Sequence, residues 1–194
     1  MLRSKSGRRA GLGIGMIALL IASLTMMPTR VDAVSQTWTT ATTPSVGSSG
    51  DVLESISCVS PTSCTAVGYS ASPSRNSTLI LTWDGTIWTA VPSPNSGNYS
   101  NDLQSVSCVS ASACTAVGSY YDGNRSATLA MRWDGSTWTI IPSPNTGNSD
   151  NSLESVSCVS ASACTAVGTY FYNGSLQQTL ILSWNGTAWT TVSS

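Results

Sequence analysis

The sequence predicts an all-β fold of tandem four-stranded antiparallel blades. Three observations lead there: an internal period of about fifty residues, strand-forming composition throughout it, and a hairpin dipeptide at the same place in each copy. Ser105–Gly118 and Ser155–Gly168 are the same fourteen residues, SVSCVSASACTAVG, and Ser55–Gly68 matches them at ten. The repeats run at about 43–92, 93–142 and 143–194, together making one domain over 34–194.

In the first repeat the strands read Leu53–Val59, Cys64–Tyr69, Thr78–Trp83 and Ile87–Val91, with a turn at Ser60–Ser63, a longer loop, and a tight turn at Asp84-Gly85. Their Ser, Thr, Val, Ile and Trp suit a pleated strand, and no stretch carries a helical period. Asp-Gly recurs at 134–135 and Asn-Gly stands at 185–186, dipeptides that tolerate the positive φ angles of a type I′ hairpin. Trp38 precedes Trp88 by fifty residues, so an extra strand is expected at 36–42.

Each hairpin carries a tryptophan pair: Trp83 and Trp88, Trp133 and Trp138, Trp184 and Trp189. With a two- or four-residue loop, both rings of a pair fall on one face within reach of each other. Such a pair is structural, filling a unit otherwise made of small residues; a sugar-stacking platform is the functional alternative.

Five of the eight basic residues lie within the first thirty, ahead of or just after the apolar run Gly11–Met27, and Val31-Asp32-Ala33 follows. That order is the pattern of a secretory signal peptide over 1–33, with an uncleaved anchor at residues 11–27 as the alternative. The remainder holds three arginines, Arg75, Arg125 and Arg132, against eight acids, and no lysine or histidine. Phosphate binding needs clustered Lys and Arg, so nucleic acid is not an expected partner. An acidic membrane surface is excluded by the same charge.

In an exported chain the six cysteines are expected to be oxidised. Repeat symmetry selects Cys58–Cys64, Cys108–Cys114 and Cys158–Cys164 among fifteen connectivities. A metal site is disfavoured: two thiolates per repeat and no histidine leave a tetrahedral shell half filled. No cofactor is expected.

The repeat unit, S-C-x-S-x-x-x-C-x-A-V-G followed by L-x-x-x-W-D/N-G-x-x-W, occurs at 57–68 with 79–88, at 107–118 with 129–138, and at 157–168 with 180–189. It resembles the repeats of a family of secreted bacterial proteins. That resemblance implies β-propeller-like blades and, since members are mostly uncharacterised, no particular activity.

Little in the chain supports catalysis. Ser-His-Asp and Cys-His chemistry lack their histidine, and a Ser-Lys arrangement lacks its lysine. A paired-carboxylate glycosidase would have to use Glu54 and Glu154, where the middle repeat has Gln104. The chain is therefore expected not to be an enzyme.

The repeats differ most between the second and third strands. There lie Tyr69, then Tyr120, Tyr121, Asp122, Asn124 and Arg125, then Tyr170, Phe171, Tyr172 and Asn173. In a meander these loops share one edge with the links between units, while the Cys turns and Asp-Gly turns share the other. Tyr/Asn-rich loops on a rigid frame are a candidate binding surface for a glycan or cell-surface protein. A structural surface repeat without a specific ligand is the alternative.

Propellers usually have four to eight blades, so three leave an open array. Two outcomes are expected to compete: self-association, with two copies giving six blades, or a β-trefoil-like threefold monomer.

Overall fold

The computed structural model describes residues 39–193. The expected signal peptide at 1–33, its apolar run at 11–27 and Trp38 lie outside the described residues. Residues 40–194 form one compact unit.

Each repeat folds into its own antiparallel meander. The first sheet contains β1 (Gly50–Ser60), β2 (Ser63–Ala71), β3 (Asn76–Trp83) and β4 (Trp88–Ala90). The second contains β5 (Asn101–Ser110), β6 (Ala113–Tyr121), β7 (Ser126–Trp133) and β8 (Trp138–Ile140). The third contains β9 (Asn151–Ser160), β10 (Ala163–Tyr172), β11 (Leu176–Trp184) and β12 (Trp189–Thr191). This is a blade-repeat β fold.

Four expectations are corrected. The β-trefoil alternative fails, because a trefoil pairs strands of different repeats in a common barrel, whereas here each repeat pairs within itself. The first three strands of each blade are longer than read, at eight to eleven residues, because the flanking residues continue the ladder. The last hairpin takes the longer of the two loop lengths considered and is not a type I′ turn. Trp83 pairs with Trp88 across four residues, and of Asp84 and Gly85 only the glycine has positive φ. Finally, the described part of the expected extra strand, residues 39–42, is not in a strand; all three sheets already have four.

A bulge in the first strand decides which residues reach the core. Gly68 pairs with Leu53 and Val67 with Ser55, leaving Glu54 as the extra residue. Leu53 and Ile56 are three apart and would face opposite ways in a regular strand. The bulge turns both to one face, beside Ala66, Leu79, Leu81 and Trp88. At the same point the strands approach so closely that a Cβ on Gly68, Gly118 or Gly168 would lie 1.9–2.0 Å from a carbonyl oxygen of the neighbouring strand. This is why A-V-G ends in glycine in every copy.

The opposite face of each blade carries a smaller set, Val67, Ile80 and Val91 in the first. These three pack into Leu103, Val106, Leu129, Met131 and Trp138 of the second blade. Val117, Ala130 and Ile141 of the second pack in the same way onto Leu153, Val156, Leu180, Leu182 and Trp189 of the third. Backbone-to-hydroxyl bonds reinforce both joints: Val106 N and Cys108 N donate to Ser55 Oγ and Ser57 Oγ, and Val156 N and Cys158 N to Ser105 Oγ and Ser107 Oγ, at 3.0–3.2 Å. Arg132 adds a clamp at the second joint, donating to Ala161 O at 2.7 Å while its guanidinium lies 4.7 Å from the Trp184 ring centroid.

Candidate functional site

The two edges of the array have different chemistry. At the turn edge a single rung crosses all four strands of each blade: Cys58, Cys64, Trp83 and Trp88 stand side by side, as do their counterparts. The cysteine pairs form the three local disulfides, with Cα atoms 4.0 Å apart in each. All six sulfurs are thereby consumed, and none is left as a thiolate ligand. The tryptophan rings of each pair sit 5.6–5.7 Å apart, tilted against each other. Trp83, Trp133 and Trp184 each donate an indole N–H to a carbonyl in the Cys turn, from Pro61, Ala111 and Ala161, at 3.1–3.2 Å. Trp138, Trp184 and Trp189 are buried, so those rings are core and offer no sugar platform.

The Asp-Gly turns are closed by side-chain caps. Asp84 Oδ1 accepts from Thr86 Oγ1 at 2.6 Å and from the amides of Thr86 and Ile87 at 2.8 and 2.9 Å. The Thr86 hydroxyl and those two amides hold the Asp84 carboxyl at a pKa of about 2. Asp134 is held below the usual carboxylate range by the amide of Thr137, the Ser136 hydroxyl and the Ser136 amide. Asn185 makes the same three bonds in the third blade with an uncharged amide oxygen. These polar residues serve the turns.

The loop edge brings the sequence-predicted binding residues together but spends several of them on structure. Tyr120 and Tyr170 are half-buried and pack against the apolar joints between the first and second blades and between the second and third. Asp122 accepts from the amides of Asn124 and Arg125 at 2.8 and 3.0 Å, which, with the Arg125 charge, lowers its pKa despite some desolvation. Arg125 reaches across the joint to Gly147 O at 3.2 Å, as Arg75 reaches Asn98 O at 3.1 Å. Both arginines brace the links between blades. Tyr69 and Phe171 are half-buried, while Tyr121, Tyr172, Asn124 and Asn173 remain exposed.

Sequence reasoning missed Tyr99. It sits in the link before β5, exposed, in an edge-to-face pair with Tyr121 at 5.5 Å. Its ring lies against Gly123, where a Cβ would come within 2.9 Å. The available signal was that Tyr99 interrupts a position held by Ser49 and Ser149 in the aligned links. The buried latches were missed too. Asn101 and Asn151 each accept one link amide, from Ser96 and Thr146, and donate to two link carbonyls. Asn95 and Asn145 accept from the amides of Thr78 and Thr128 at 2.8 Å. Asp51 replaces the latch asparagine in the first blade. Burial works against its charge, but bonds from Val46 N, Gly47 N and Ser45 Oγ outweigh this and lower its pKa.

Glu54 and Glu154, the carboxylates a glycosidase would need, occupy the bulges of the first and third blades, and the second blade packs between those sheets.

No protein-family model matches the chain, and no curated protein matches it. Among solved structures it is similar to one of YCF48 bound to D1 peptide, with 14% sequence identity and a TM-score of 0.42 over 73% of this chain. The chain spans 55% of that protein's length.

Proposed function

We propose that the chain is an exported, non-catalytic binding module whose ligand, a glycan, docks at the loop edge. The observation that carries this reading is the exposed Tyr99–Tyr121 pair, set edge to face. An aromatic face presents an apolar plane to the C–H face of a sugar, and the exposed amides of Asn124 and Asn173 suit its hydroxyls. The latched links and braced loops beneath limit the ordering cost of binding. Export is supported by the basic, apolar, small-residue order of residues 1–33 and by three disulfides, which persist in oxidising compartments. A glycan array probed with the disulfide-intact protein tests the reading. Specific binding lost in Tyr99→Ala and Tyr121→Ala, but kept in Trp88→Ala, supports it. Silence on the array with capture of a cell-surface protein assigns the edge to a protein ligand, and silence in both assays refutes a binding role.

A further inference from the structure

The joint between blades is made twice inside the chain and left half-made at each end. On the first blade, Leu53 and Ile56 are 42% and 56% exposed, whereas their counterparts Leu103 and Val106 are 0% and 6% exposed under the preceding blade. They line an apolar groove of about 350 Å³ with Ala66 and Trp88. On the third blade, Val167 is 42% exposed, whereas its counterparts Val67 and Val117 are fully buried in the next blade, and Val192 is 44% exposed where its counterparts Val91 and Ile141 are half-buried.

We infer that these two faces join between two copies of the chain, head to tail, closing a six-bladed ring. The fit is specific because the triplet of exposed Val167, half-buried Ile181 and exposed Val192 repeats, residue for residue, the Val67, Ile80 and Val91 that already fill the groove of the second blade. Its backbone is set the same way: Val192 N donates to Ile181 O at 2.8 Å, as Val91 N donates to Ile80 O at 2.9 Å. The polar contacts extend equally. Ser155 and Ser157 stand exposed where Ser105 and Ser107 accept amides across the joint, and the matching amides are those of Ile56 and Cys58 of the second copy. Thr165 is exposed where Thr115 lies 3.8 Å from Cys164 Sγ, and its match is Cys64. A head-to-tail joint must close or grow into an open fibre. Two three-blade chains give six blades, inside the range in which propellers close, and three would give nine, outside it.

The occupant competing for the groove is the chain's own N-terminal segment, since Ala41 aligns with Val91. Sedimentation of disulfide-intact protein carrying residues 34–194, which keeps the whole compact unit 40–194, decides between them. The expected species has twice the chain mass at micromolar concentration. Ile56→Asp and Val167→Asp change residues that are exposed in the single chain, so each variant should fold and run as a monomer. An equimolar mixture of the two should recover a species of twice the mass, because one intact face remains on each chain. A wild-type chain that stays monomeric, or a mixture that does not recover the dimer, overturns the proposal. Dimerisation that appears only after residues 34–42 are removed also overturns it and gives the groove to that segment.

Discussion

Gly118→Ala tests the account of the bulge most directly. The added methyl would lie 2.0 Å from Asp102 O, 2.9 Å from Leu103 Cα and 3.0 Å from Asp102 C, all backbone atoms that no rotamer change can move. Relief requires separating β5 from β6 at the bulge, which pulls Leu103 out of the joint it fills between the first and second blades. Overpacking of a well-packed site costs about 1–3 kcal/mol when side chains can adjust. With backbone on the receiving side, about 3 kcal/mol or more is expected. For a domain of this size that lowers the melting temperature by about 6–12 °C. Gly97→Ala is the control: its φ is +68° but nothing lies within 4 Å of the new Cβ, so only the left-handed backbone penalty of about 1 kcal/mol applies. Thermal melts followed by far-ultraviolet circular dichroism, at one protein concentration with disulfides intact, rank the two. If Gly118→Ala melts no lower than Gly97→Ala, the close approach does not explain the glycine.

Three further outcomes are expected. Proteolysis of the unreduced protein followed by mass spectrometry should yield only the Cys58–Cys64, Cys108–Cys114 and Cys158–Cys164 links, and Cys108→Ser with Cys114→Ser should cost about 2 kcal/mol in a denaturant titration, because the closed loop is short. Trp138→Ala should destabilise by about 3–5 kcal/mol as a buried ring lost from a joint, and Trp88→Ala, half-exposed in the single chain, by clearly less; equal losses would contradict the placement of these rings. Asp84 is held at about 2, below its ordinary 3.8, so the stability it contributes is fully present above that ordinary value and is lost as pH falls through about 2; Asp84→Asn with Asp134→Asn, copying the native Asn185, should flatten that acid loss in melts between pH 5 and 2, and parallel curves for variant and wild type would refute the cap assignment.

The blade was legible in the sequence because its determinants are local and repeated. The fifty-residue period, the Cys and Trp rung and the turn dipeptides each constrain neighbours across one hairpin. The type I′ turn failed for an equally local reason: the Asp84 carboxylate accepts from the amides two and three residues on, and that cap favours a four-residue loop. The bulge was hidden because its mark, two apolar residues three apart around Glu54, looks like a lapse in alternation. The latches were hidden because Asn95 and Asn101 read as ordinary loop polarity until the link folds back over them. That the variable loops share one edge was legible from the meander order, but which of their residues stay exposed was not. Composition could not distinguish Arg125, which bridges to the next link, from Tyr121, which faces solvent.

The differences between repeats carry as much information as the identities once the joints are known. A face that packs inside the chain tolerates compensated change: Ile80 becomes Ala130 in the second blade, while Val91 becomes Ile141 beside it, and the contact survives. An end face with nothing to meet would be free to become polar, the usual remedy for the terminal units of stacked repeats. Here the opposite holds at both ends. The first blade keeps Leu53, Ile56 and Trp88, and the third keeps Val167, Ile181 and Val192, although several stand open in the single chain. On the loop edge, by contrast, Tyr69, Ser119 and Thr169 share one aligned position without disturbing the ladder. Apolar chemistry is thus retained on the faces proposed to join copies and relaxed at the edge proposed to meet a ligand, and these are separate surfaces of the same blade.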